Sequence, residues 1–79
     1  MESELIFVGY RSGVSKNGKK YFMLNFITTP VISDFGAYSS DVSVFTEEDK
    51  YNNFIKSNDL LSICTVPFEL QGNRVIYYL

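Results

Sequence analysis

The chain contains no histidine and no tryptophan, a single cysteine, two prolines, and no apolar run longer than a few residues. Each absence removes a class of function. Without histidine the commonest general base and metal ligand is missing. One cysteine, Cys64, supplies neither an internal disulfide nor the usual tetrahedral zinc set. Gly-x-Ser-x-Gly, Walker and Rossmann patterns do not occur. The reading is therefore of a protein that is not an enzyme and needs no metal or cofactor. Glu47, Glu48 and Asp49 are grouped, but they read as the solvated first turn of a helix rather than as a hard-metal site. No stretch approaches the roughly 20 apolar residues that span a bilayer, and the start Met1-Glu2-Ser3-Glu4 lacks the basic residues of a signal peptide. Cys64 lies in an apolar strand pattern, where a buried, inert thiol in a reducing cytoplasm is expected.

What is present fits one domain. The 79 residues are 46% hydrophobic and include seven Phe and six Tyr, enough to fill a small core and leave rings over for a surface. Net charge is −2, but its distribution is uneven. No acidic residue occurs from Leu5 to Ser33, and Arg11, Lys16, Lys19 and Lys20 all fall within that stretch. Most of the acidic side chains follow between Asp34 and Glu69. A binding footprint depends on the local field rather than on the total charge.

Residues 5–12 read as a first strand, with Gly9 marking a bulge or bend. Asn17-Gly18 predicts a type I′ hairpin turn, with Ser12 to Lys20 as the hairpin arm. A second strand runs from about Lys19 to Thr28. Phe22, Leu24 and Phe26 form its core parity; Tyr21, Met23, Asn25 and Ile27 form an amphipathic face suited to binding. Thr29-Pro30 stops it, and residues 30–40 read as a loop. Asp41 to Phe45 is a third strand. Thr46 caps a helix of about ten residues, with Tyr51, Phe54 and Ile55 on its apolar face and Asn58 at its end. Leu60 to Leu70 is a fourth strand, whose Pro67 predicts an edge or a bulge. A turn at Gln71-Gly72-Asn73 leads to a fifth strand, Arg74 to Leu79. The order β-β-β-α-β-β predicts an all-β domain with one short helix, a five-stranded Greek-key barrel of OB type.

The candidate site follows from the arm. Arg11, Lys16, Lys19 and Lys20 can neutralise phosphates, Tyr21 can stack on a base, and Phe45, on the parity opposite Val42 and Val44, is a second stacking ring. This chemistry suits a single nucleic-acid strand, DNA first and RNA as the alternative.

The string Arg11-Ser12-Gly13-Val14-Ser15-Lys16-Asn17-Gly18-Lys19-Lys20-Tyr21 resembles the DNA-binding wing of the filamentous-phage gene V single-stranded DNA-binding proteins. That wing reads R-S-G-V-S, a basic and a polar residue, G-K, any residue, then Y. The resemblance covers these eleven positions. It implies a small OB-fold homodimer that coats single-stranded DNA cooperatively and without sequence preference during replication or transfer of a phage, plasmid or similar element. Lys16 would take the place of the wing's basic residue, Tyr21 that of its stacking tyrosine, and Arg11 that of the opening arginine. The rival reading from another class is a protein-interaction module or inhibitor acting through the acidic region 34–59.

Overall fold

A computed structural model of the chain describes residues 1–79. Alternating β-branched and aromatic residues between turn-forming clusters produce seven strands and one helix. In chain order these are β1 (Glu2–Val14), β2 (Lys20–Thr28), β3 (Val31–Ser33), β4 (Gly36–Tyr38), β5 (Asp41–Thr46), α1 (Glu48–Ser57), β6 (Ile63–Gln71) and β7 (Arg74–Tyr77). Five strands form one antiparallel sheet in the order β5-β2-β1-β6-β7, and β3 and β4 form a separate two-stranded hairpin. The large sheet curls until β5 and β7 lie across a groove from one another, but no ladder joins them. The result is an open half-barrel, consistent with OB-like architecture in general. The closed five-stranded barrel expected from the sequence is not formed. Closure needs strands of matched length and stagger, and β7 offers only four residues, all attached to the far end of β6 beyond Pro67.

Leu5, Phe7, Leu24, Phe26, Val44, Tyr51, Cys64 and Val66 make the core. The predicted core parity of β2 is borne out, since Leu24 and Phe26 are fully enclosed and Phe22 packs against them. Helix α1 lies across this face through its aromatic stripe. Phe54 meets Phe7 and Phe26 edge-on at 5.0 and 5.6 Å between ring centres, and Tyr51 meets Phe22 at 5.2 Å and Tyr10 at 6.1 Å. Edge-to-face pairs of this kind add to the area that each ring buries. The helix starts one residue later than expected, with Glu47 rather than Thr46 at the N-cap, because Thr46 remains in β5 opposite Phe22. Asn58 ends it, its backbone and side-chain amides both donating to the Phe54 carbonyl. Cys64 is buried as expected, its Sγ 3.6 Å from Asn58 Oδ1.

Three further expectations are corrected. The wing turn is not type I′, because Asn17 does not adopt positive φ; Gly18 alone does, at +80°. Gly18 N–H donates to Ser15 O, and Ser15 N–H to Lys19 O. This is a type I turn followed by a left-handed residue, the usual three-residue hairpin solution. Residues 30–40 are not a loop but contain the β3–β4 hairpin, tied at its base by Thr28 N–H to Ser40 O and Ser40 N–H to Thr28 Oγ1. The fourth predicted strand loses Leu60 to Ser62 to a turn whose Leu61 has φ +69°. That turn is held by Leu61 N–H on Phe7 O and Phe7 N–H on Ser62 O. Pro67 sits where β6 leaves β1, opposite Glu2, and passes to β7, so its missing N–H interrupts no ladder that the strand needs.

Candidate nucleic-acid interface

The helix covers one face of the sheet and leaves the other uncovered. Cross-strand partners share a face, so the registers define rows on the uncovered side. Ile63, Ile6, Ile27 and Asp41 form one row across four strands, and Gly9, Asn25 and Ser43 form the next. Arg11, Met23 and Phe45 form the third, and Gly13 and Tyr21 the fourth, out on the free arm.

The bulge at Gly9 decides the composition of this face. The β1–β2 register shifts between Phe7 and Gly9, leaving Val8 as the extra residue. Without the shift, Arg11 would share the parity of Leu5 and Phe7 and point at the core. With it, Tyr10 joins the core side, stacked against Phe7 at 6.2 Å, and Arg11 emerges beside Met23. The glycine was legible as a bulge; the resulting exchange of faces was not.

Tyr21 leans across the strand pair. A Cβ built on Gly13 would lie 2.8 Å from the Tyr21 hydroxyl and 3.0 Å from its Cζ, so the ring occupies the space a side chain at position 13 would need. Tyr21 is half-buried, its ring lying over the backbone of Gly13. Phe45 is 68% exposed and pairs with no other ring. Beside it, Ser43 Oγ donates to Asn25 Oδ1 at 3.3 Å. This leaves the Asn25 amide N–H groups free to face a ligand.

The cations are only partly gathered. β6 pairs with β1 no further than Ile6, and β5 pairs with β2 no further than Phe22, so the last rungs of the β1–β2 hairpin and its turn project as a two-stranded arm. Lys16 and Lys19 flank the tip of this arm, held by the Ser15 hydrogen bonds. Arg11 lies on the uncovered face at the arm's root. Lys20 is paired with Val14 and belongs to the opposite face from Tyr21. The uncovered face therefore runs from a basic end at the arm to an acidic end at Asp41 and Glu4, and an anionic strand is favoured only over the half nearest the arm.

Sequence parity had singled out Tyr21 and Phe45. Met23 and Asn25 were placed on a face suited to binding without roles of their own, and Ser43 was not assigned to the site, although it shares the parity of Phe45. What placed Met23 beside Phe45, and Asn25 and Ser43 in the row beyond it, was the register of three strands, which no single strand's pattern carries. No group of three or more His, Cys, Asp or Glu side chains is arranged to hold a metal ion. No helix is long and apolar enough to cross a membrane. Comparison of the chain with protein-family models, with curated proteins and with solved structures finds no match, so the likeness to the gene V wing stands on residues 11–21 alone.

Proposed function

We propose that the protein binds single-stranded DNA without sequence specificity, as a non-catalytic coat for exposed strands of a phage, plasmid or similar element. The observation that carries this reading is the row Arg11–Met23–Phe45, with Tyr21 in the next row, on the one sheet face that the helix leaves free. An aromatic ring, a thioether and a guanidinium side by side offer stacking surfaces to unpaired bases. The arm's Lys16 and Lys19 supply the phosphate contacts. A duplex keeps its base faces stacked inside, so such a surface favours unpaired strands.

A fluorescence titration with labelled oligo-dT and with a matched duplex, each at two salt concentrations, tests the reading. Tight, salt-sensitive binding to oligo-dT with weak duplex binding supports it. Failure to bind oligo-dT at low salt removes it and leaves the protein-interaction reading. Oligo-rU in the same assay decides between DNA and RNA.

Two variants test the parts separately. Three or four phosphate contacts give a log–log salt slope of roughly −2 to −3 for a single strand, at about −0.7 per contact. Lys16→Ala combined with Lys19→Ala is expected to flatten that slope by about 1.4, and an unchanged slope places the phosphates elsewhere. Gly13→Ala is expected to push the Tyr21 ring off the arm. Oligo-dT affinity then falls while the slope and the melting temperature stay near their original values, because the displaced atoms are the far end of a side chain on the arm, away from the core.

A further inference from the structure

The row Gly9–Asn25–Ser43 on the uncovered face holds no ring and no charge, so neither base stacking nor phosphate binding gives it a part. Across three strands it runs from a hydroxyl on β5, through an amide on β2, to bare backbone on β1. Ser43 Oγ donates to Asn25 Oδ1 at 3.3 Å. That bond engages the acceptor end of the amide and turns its Nδ2 away from β5, toward Gly9. A Cβ built on Gly9 would lie 4.0 Å from Asn25 Nδ2 and meet nothing else within 4 Å beyond its chain neighbours. Gly9 is not among the residues with positive φ, so its backbone does not require glycine. What the missing side chain provides is space, an open notch bordered by the Asn25 N–H groups.

The notch adjoins the stacking row. Met23 and Asn25 are two residues apart on β2, about 6.6 Å along the strand, so a base resting on Met23 and Phe45 turns an edge toward the Asn25 amide. The row itself and the row beyond it, Ile63–Ile6–Ile27–Asp41, contain no cation, so phosphates are not drawn there. The group that meets Asn25 is therefore a base edge. An amide whose oxygen is engaged offers that edge two N–H donors. Thymine and guanine present a carbonyl oxygen where cytosine and adenine present an amino group. The first pair meets the donors with an acceptor, and the second sets donor against donor.

We infer that Asn25, positioned by Ser43, reads base edges over the Gly9 notch and favours carbonyl-bearing bases, thymine and guanine, over amino-bearing cytosine and adenine. This preference rests on the nucleic-acid reading above and adds a chemical class of base to it. It is a bias of composition at one base per bound protein, not a readout of sequence order. One net hydrogen bond corresponds to about 2- to 10-fold in the dissociation constant.

Titrations with oligo-dU and oligo-dC of equal length isolate the contact, because uracil and cytosine share one ring size and differ on the edge where a carbonyl replaces an amino group. Mildly alkaline pH keeps cytosine unprotonated. The unmodified chain is expected to bind oligo-dU about 2- to 10-fold more tightly than oligo-dC. Gly9→Ala puts a methyl group into the notch at ordinary contact distance from Asn25, so the ratio is expected to fall toward one at an unchanged melting temperature. Asn25→Asp exchanges donors for acceptors, and the ratio is expected to reverse in favour of oligo-dC while the added negative charge weakens both. Ser43→Ala frees Oδ1, so the amide can present either end and the preference is expected to fade. Each ratio is taken within one variant, so any loss of folded protein affects both oligonucleotides alike. Equal affinity of the unmodified chain for the two, or a preference for oligo-dU that survives Asn25→Asp, overturns the inference and leaves single-strand binding standing. Absence of binding to both removes the nucleic-acid reading and this preference with it.

Discussion

Replacing Phe7 with alanine is expected to lower the melting temperature by tens of degrees. Phe7 is 1% exposed and touches three rings: Phe26 at 5.5 Å, Phe54 at 5.0 Å and Tyr10 at 6.2 Å. Large-to-small substitution of a buried phenylalanine costs about 3–5 kcal/mol, part of it transfer and part the cavity left behind. A domain of this length has a total stability of roughly 4–12 kcal/mol. With only eight residues buried, the low end of that range applies. At about 4–8 °C per kcal/mol for a domain of this size, the loss is roughly 12–40 °C. The damage reaches beyond β1, because Phe54 stands edge-on to both Phe7 and Phe26 and anchors the helix through them. Helical and sheet signals are therefore expected to disappear together in a thermal melt followed by circular dichroism. Phe45→Ala, on the uncovered face, is the control and should move the midpoint little. A Phe7→Ala shift no larger than that of the control would mean that the helix-covered face is not the core.

The outward side of Phe45 was legible in the sequence, and the reason is periodicity; the inward side of Phe7 was not, because both parities of β1 begin apolar. In β2 and β5 strict alternation separates Phe22, Leu24, Phe26, Val42 and Val44 from Tyr21, Met23, Ser43 and Phe45, and each strand remains regular over its length. The helix was legible too, because an acidic first turn precedes Tyr51, Phe54 and Ile55 at helical spacing. Three features were not. In β1 a glycine signals a bulge, but which neighbour becomes the extra residue depends on pairing with β2, and that choice alone sends Arg11 to the outer face. At 31–38, apolar residues fall on both sides of short strands, so no polar alternation marks them as a hairpin. The opening between β5 and β7 reflects sheet curl and the shortness of β7, which no local pattern encodes. The same limits apply to the site. Its rings were readable from parity, but the setting of Phe45, with Met23 beside it and Asn25 and Ser43 in the next row, comes only from register, and Lys20 was grouped with the other cations although pairing puts it on the other face.

Tyr21→Ala and Phe45→Ala, alone and together, are expected to produce the largest losses of oligo-dT affinity of any surface substitutions. Base–aromatic stacking is worth about 1–3 kcal/mol per base, or roughly 5- to 150-fold in the dissociation constant for each ring. Phe45 presents an exposed ring beside Met23, and the half-buried Tyr21 ring lies over Gly13. A ring already half-buried against its own chain loses less freedom on binding than one that must be ordered by the ligand, so Tyr21 belongs toward the upper end of that range. The two rings lie in neighbouring rows on adjacent strands. If they stack successive bases, their losses add; if both clamp one base, the double variant loses less than the sum. Neither substitution removes a cation, so the salt slope should remain that of the unmodified protein even as affinity falls, the reverse of the lysine variants. Titrations of the three variants at several salt concentrations read affinity and slope together. Reduced affinity at an unchanged slope and melting temperature assigns the rings to base contact. Unchanged affinity in the double variant would mean that the strand runs along the arm alone and that the uncovered sheet face serves something else.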